Sequence, residues 1–279
     1  MCLFQAVRAL ISASHPVPTA AVTSLGTALG AVLGVAGTQL ATLTIAVFSG
    51  QLSVGWLNDF IDRHRDRAAG RTDKPLAMGT ISPATVRWAI TVAAAVCVPA
   101  SLALGVVPGT AHLIAVAAAW AYNLGGKQTV LSWLPYAVGF GLLPAIAWLV
   151  SPQPGAPPWW MIAGGALLGI GAHGANVLPD LETDRVTGVA GLPHRLPRTV
   201  LRIGTAAVLF SALTLLTLGP ARASWLVDAV VLAAGAALAV VAAGVGGTRL
   251  PARVPLLAAA AIAALAIASL LVAGAGQLR

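Results

Sequence analysis

Runs of roughly twenty apolar residues recur along this chain with only short polar connections between them. A run of that length crosses a bilayer as a single α-helix. Soluble domains carry about 25% charged residues, whereas here 9% are charged, 58% are hydrophobic and the mean hydropathy is +0.88. The expectation is one all-α, polytopic integral-membrane domain over residues 1–279.

The runs place nine transmembrane helices at about Thr19–Val35, Leu40–Asn58, Ala84–Val106, the stretch after Pro108-Gly109 up to Tyr122, Ser132–Val150, Trp159–Leu178, Arg198–Leu218, Trp225–Gly244 and Pro255–Ala275. Met1 to Pro18 reads as an amphipathic interfacial segment, with no cleavable signal peptide, because Arg8 lies behind apolar residues rather than before them. Ser82-Pro83 is a helix start with proline at the first position. Nine spans put the N-terminus and the loops after the second, fourth, sixth and eighth helices on one side. That side holds fourteen basic residues, Arg249 and Arg253 among them, against only Arg222 and Arg279 on the other. The bias makes the richer side cytoplasmic. It also accounts for the net charge of +8 and the pI near 11.0 without a nucleic-acid partner. Trp148, Trp159, Trp160 and Trp225 gather at the opposite ends, as an interfacial aromatic belt does.

The acidic residues are few and gathered. Of eight, seven lie in or just beyond two stretches that share the skeleton N-x3-D-x3-D-R-x-x-G, running from Asn58 to Gly70 and from Asn176 to Gly188. In both, a proline follows the glycine by five residues, at Pro75 and Pro193. If the second and sixth helices continue through these stretches, residues at i, i+4 and i+8 form a stripe with steps of about 6 Å. Asn58, Asp62 and Asp66 then face one way, and so do Asn176, Asp180 and Asp184. Two carboxylate rows repel unless a positive ion lies between them. Magnesium suits the donor set, because it takes oxygen ligands and is held by one or two carboxylates plus substrate phosphates. Arg67, Arg71, Lys74, Lys127, Arg185 and Arg195 lie in the same loops and suit phosphate oxygens. A phosphorylated head and a greasy tail would fit the mouth of such a bundle. The plainer alternative is a solvated charged cap, which accounts for one stretch better than for two matched copies.

These residues carry a resemblance. The chain is similar, over essentially its whole length, to the UbiA superfamily of intramembrane prenyltransferases, with N-D-x-x-D-x-x-x-D at Asn58, Asp59, Asp62 and Asp66, then Arg71-x-x-Lys74-Pro75, and D-x-x-x-D at Asp180 and Asp184. The resemblance implies two magnesium ions that bridge the carboxylates to a prenyl diphosphate, with Asn58, Asp62 and Asp66 in one clamp and Asp180 and Asp184 in the other. It implies transfer of the prenyl group to a lipophilic, for instance aromatic, acceptor in the cytoplasmic membrane. One departure is that Tyr122 precedes Lys127 by five residues where the family commonly has four, a spacing occupied here by Asn123.

The chemistry so implied loses diphosphate from an allylic carbon, and ring faces can shelter the cation. Trp56, Phe60, Trp88, Trp120, Tyr122, Trp133 and Tyr136 fall toward the cytoplasmic halves of their helices. His15, His64, His173 and His194 lie on or near that side, with His173 on the face of Asn176. Asp228, on the far side, reads as a helix-start residue. No His/Cys cluster with zinc spacing, no Ser-His-Asp pattern in context and no glycine-rich loop after a strand occurs. Two rivals stand beside a transferase: a membrane terpene cyclase with the same clamps, and a transporter or lipid-binding protein. The scarcity of ionisable groups in mid-span disfavours transport. His15, His173 and Asn123 favour an acceptor with polar atoms over a cyclised hydrocarbon.

Overall fold

Apolar helices joined by short connections pack beside their chain neighbours, and this chain does so throughout. The computed structural model describes residues 3–153, 155–186, 188–220, 225–244 and 254–273. Arg222, Arg249, Arg253 and Arg279 of the charge count, with the end of the last expected helix, lie outside the described residues. The described residues are helical with no strand: α1 Leu3–Ala13, α2 Pro16–Val32, α3 Gly37–Ala68, α4 Pro83–Ala103, α5 Val106–Asn123, α6 Leu134–Val150, α7 Trp159–Val177, α8 Leu181–Val186, α9 Arg198–Leu218, α10 Trp225–Ala243 and α11 Val254–Ala273. Short 3-10 turns at Gly126–Gln128 and Leu192–Arg195 complete the two loops on the motif side. By length and composition α3, α4, α9 and α10 can cross a membrane, and α2 and α6 are shorter apolar helices.

Two local expectations need correction. The turn between α4 and α5 falls at Leu104-Gly105, where Gly105 has φ 111°, and not at Pro108-Gly109. Pro108 instead sits in the first turn of α5, where its missing N–H has no intrahelical partner to lose. The second concerns the acidic stretches. α3 runs unbroken for 32 residues, so the Asn58–Asp66 stripe forms on one continuous helix. The matching stripe from Asn176 does not, because α7 stops at Val177 and a turn precedes α8. Pro179 is the cause, as it has no N–H for the Ala175 carbonyl. Asp184 N–H still reaches Asp180 O at 2.8 Å, which carries Asp184 back toward the same end.

α7 is the pillar on which the site half of the bundle is built. It packs between α6 and α9, and glycine on two of its faces lets both neighbours come close. A methyl group at Gly165 or Gly169 would overlap the carbonyl oxygens of Phe140 and Tyr136 in α6. One at Gly164, Gly171 or Gly174 would overlap Leu216, Leu209 or Thr205 in α9. Small residues bring membrane helices together in this way, since lipid offers no hydrophobic drive. Beneath the motif end, Leu29, Trp148, Met161, Leu168, Leu209 and Leu213 form the largest apolar core. A small apolar cavity lined by Leu25, Leu29, Phe140, Met161, Leu168 and Ala266 lies between α2, α6, α7 and α11.

The close approach of α6 and α7 is testable. Gly169→Ala should lower stability in detergent by about 1–3 kcal/mol, the usual cost of overpacking. Gly204→Ala, in α9 with open space around it, should be neutral or mildly stabilising. Thermal unfolding of the two variants side by side checks this.

Candidate active site

The first acidic stretch presents its carboxylates inward. Asp59, Asp62 and Asp66 are 1%, 6% and 7% exposed, so each charge needs compensation. Asp62 receives the ammonium of Lys127, from the loop after α5, and Arg65 at 3.0 Å. Asp59 receives Lys74 at 2.7 Å and His15 at 2.8 Å, and Lys74 also lies 3.1 Å from His15 Nε2. Asp59 Oδ2 is buried with no partner among the described residues, and no described residue donates a hydrogen bond to the Asp66 carboxylate. Asn58 donates to Asn123 Oδ1 at 3.0 Å, and Asn123 in turn donates to Val54 O. Asn123, rather than Tyr122, is therefore tied directly to the first stretch. Burial pulls the pKa of Lys127 below its ordinary value, and Asp62 recovers only part of that shift.

His15 reaches this place through the elbow between α1 and α2. It is the one non-glycine among the described residues with positive φ, at φ 53° and ψ 65°. Gly55 makes room for that elbow, since a side chain there would overlap Ser14 O, and Trp56 donates to Leu10 O at 2.9 Å. The sequence reading placed Asn58, Asp62 and Asp66 on the stripe without Asp59 and counted His15 among the groups favouring a polar acceptor, whereas His15 here pairs with Asp59. Only the elbow reveals the pair.

The repeated D-R-x-x-G has a structural meaning that the spacing alone concealed. Gly70 and Gly188 have φ of 66° and 82°, a region that costs a side-chain-bearing residue about 1–2 kcal/mol. In both copies the glycine N–H returns to the arginine carbonyl (Arg67 or Arg185). The residue after it, Arg71 or Val189, returns to the aspartate carbonyl at 3.0 Å or 2.9 Å. This is the two-bond glycine cap of a helix C-terminus. The arginine side chains then brace the loop that follows. Arg67 donates to Ala77 O and Leu76 O, and Arg185 to His194 O and Leu196 O. Both had been expected on phosphate; the structure gives each a carbonyl-bracing position. Arg195 likewise donates to Ala190 O.

In the second stretch Asn176 and Asp180 are exposed and Asp184 is half-buried, with His194 Nε2 at 3.2 Å from Asp184. Arg71 forms a two-pronged pair with Asp73 at 2.8 Å, which holds the Asp73 carboxyl down to about 2 and feels both Asp180 and Asp66. Tyr122 feels both Asp184 and Asp62. The two acidic stretches thus share one end of the bundle and flank the same groups. Below them Tyr122, Tyr136 and His173 form a ring cluster, with centroids 5.3 Å apart for the tyrosines and 4.6 Å for Tyr136 and His173. Trp56 and Trp120 donate to Leu10 O and Ser53 Oγ, and Trp88 lies on the outer surface. His194, on Asp184, is a further residue that sequence reasoning named without a role.

Among the described residues no three His, Cys, Asp or Glu side chains converge closely enough to hold a metal ion by themselves. For magnesium this is no obstacle, since it binds through one or two carboxylates and completes its shell with water and phosphate. The oxygen-only donor set and the unpartnered Asp59 and Asp66 oxygens fit such an ion.

Comparison with known proteins agrees with this architecture. Among solved structures, the chain is similar to a UbiA homologue from Archaeoglobus fulgidus bound to GPP and Mg2+, with a TM-score of 0.70, 16% identity, and coverage of 94% of this chain and 98% of that one. It is similar to a UbiA homologue from Aeropyrum pernix K1 in its apo form, with a TM-score of 0.72, 19% identity and coverage of 90% and 97%. A digeranylgeranylglyceryl phosphate synthase gives a TM-score of 0.69 at 12% identity, with 98% of both chains covered. At these identities the likeness is one of fold. No curated protein sequence matches significantly. The sequence profile of the UbiA prenyltransferase family matches residues 17–246, and the chain belongs to that family.

Proposed function

We propose that this protein is a magnesium-dependent intramembrane prenyltransferase, a single domain of nine spans with both acidic stretches at the cytoplasmic face. One observation supports this reading most. Two carboxylate-bearing stretches 118 residues apart come near common groups, Tyr122 being close to Asp62 and Asp184 and Arg71 to Asp66 and Asp180. The GPP and Mg2+ bound to the Archaeoglobus fulgidus homologue support the ligand class. The fourteen-to-two basic bias supports the orientation.

In this reading Asn58, Asp62 and Asp66 hold one magnesium ion and Asp180 and Asp184 the other. Bound magnesium supplies positive charge that stabilises the leaving diphosphate. The chain's own residues do the rest. Lys127 and Lys74, held on Asp62 and Asp59, present ammonium groups at the rim, and Arg71 adds a guanidinium, all able to donate to phosphate oxygens. Asn176 lies exposed at the same mouth, and Arg67 and Arg185 serve phosphate binding indirectly, by bracing the loops. The allylic C–O bond breaks with its electron pair on the diphosphate. The faces of Tyr122 and Tyr136 shelter the allylic cation. An electron pair of the lipophilic acceptor closes the new bond, and the acceptor's proton is released. The tail extends from the two tyrosine rings down α6 and α7, where Phe140 and Leu168 lead into the apolar cavity. A membrane terpene cyclase would use the same first step and capture the cation within its own chain.

Two measurements test this. Diphosphate release from a panel of prenyl diphosphates should require magnesium, and Asp62→Asn and Asp180→Asn should each slow it at least about a hundredfold, as loss of a charge-stabilising contact does. Wild-type rates in both variants would remove the acidic stretches from the chemistry. For orientation, single cysteines at positions 68 and 188, in a background lacking Cys2 and Cys97, should both react from the cytoplasmic side of sealed vesicles. Reaction from opposite sides would contradict the nine-span topology.

A further inference from the structure

His173 is as deeply buried as Asp59, at 1% exposure, and it belongs to none of the clamps. One ring nitrogen is accounted for, since Nε2 lies 3.2 Å from Ser132 Oγ. The other, Nδ1, is buried with no partner among the described residues. Ser132 is itself locked in place. Its Oγ accepts the Leu192 N–H at 3.1 Å, and Gly191 passes so close that a side chain there would overlap both Ser132 and the Lys127 carbonyl.

Counting protons decides which tautomer His173 adopts. A serine hydroxyl has one proton to give and two lone pairs to offer. If His173 Nε2–H donated to Ser132, the serine proton and the Nδ1 lone pair would both be buried unpaired. If Ser132 donates to Nε2, only one group is left over, the Nδ1–H of a neutral imidazole. The second arrangement leaves fewer unpaired groups, and each such group costs about 1–3 kcal/mol. So the protein fixes a lone N–H donor beside Tyr122 and Tyr136, three residues before Asn176 on α7 and beneath the two acidic stretches. A hydrocarbon cation has no lone pair to accept that donor. An oxygen of the acceptor has.

We propose that His173 is the specificity-determining residue for the prenyl acceptor, its Nδ1–H donating to an oxygen of a lipophilic phenol or alcohol, with Ser132 as the positioning residue that holds the tautomer. This rests on the prenyltransferase reading and narrows its acceptor to an oxygen-bearing class. Tyr122 and Tyr136, half-buried beside His173, are the rings that would have to turn to admit that oxygen.

The test compares binding of 4-hexylphenol with that of hexylbenzene, its oxygen-free twin, to purified full-length protein, beside magnesium-dependent binding of geranyl diphosphate. Wild type should prefer the phenol by at least about fivefold, the lower end of what pairing one buried donor is worth. His173→Ala and His173→Gln should erase that preference, and His173→Asn, whose amide N–H falls near Nδ1, should restore part of it. Geranyl diphosphate binding should stay within twofold in all three, which also shows that they fold. Ser132→Ala should weaken the preference and, in 15N spectra of histidine-labelled protein, shift His173 from the pure Nδ1–H pattern toward a mixture. An unchanged phenol preference in His173→Ala, or no preference in wild type, would overturn the proposal. Failure of wild type to bind geranyl diphosphate with magnesium would instead overturn the prenyltransferase reading, and the phenol comparison would still decide the role of His173.

Discussion

A carboxylate taken out of water needs a positive partner, and the motif end of this bundle is arranged around that requirement. Asp59, Asp62 and Asp66 are all buried, yet they lie on consecutive turns of one helix at the mouth of an apolar core. Lys127, brought in by the loop after α5, neutralises Asp62, and Lys74, brought in by the loop after α3, neutralises Asp59. Removing one partner of a buried pair costs about 3–5 kcal/mol, because the remaining charge is stranded. The same pairs therefore fold the loops over the site and hold ammonium groups where phosphate oxygens would arrive. Function and loop structure draw on one electrostatic device.

The two acidic stretches have the same ending and different bodies. Each closes with a glycine cap and an arginine that braces the next loop, so the repeat D-R-x-x-G is first an instruction for turning the chain. The carboxylates before it are deployed unequally. On α3 all three are buried, and Asp59 and Asp62 are paired with lysines. After the Pro179 break, Asp180 is exposed and Asp184 meets a histidine. In the proposed reading an incoming metal–diphosphate would meet lysine ammonium groups on one side and the exposed Asp180 on the other.

Much of the helix plan was legible from residues alone, because bilayer length acts on whole segments. The bounds of α9 fall where the apolar run begins and ends, and Ser82 caps α4 through Thr85 N–H as the Ser-Pro start suggested. The carboxylate stripe on α3 followed from helix periodicity. What stayed hidden depends on contacts between distant segments. The elbow that hands His15 to Asp59 needs Gly55, forty residues away, and no local pattern announces it. Arg67 and Arg185 looked like phosphate ligands because charge was visible and the carbonyls they brace were not. Pro179 was visible, but the helical spacing of Asn176, Asp180 and Asp184 hid the break it causes.

In the proposed function the two stretches close on one metal–diphosphate complex. Manganese in place of magnesium reports on it directly, through electron–nuclear double resonance of the purified protein with geranyl diphosphate. Bound manganese should be coupled to the 31P nuclei of the diphosphate, with the coupling lost in both Asp62→Asn and Asp184→Asn. A spectrum identical to that of manganese and geranyl diphosphate free in solution, or one indifferent to either substitution, would contradict it.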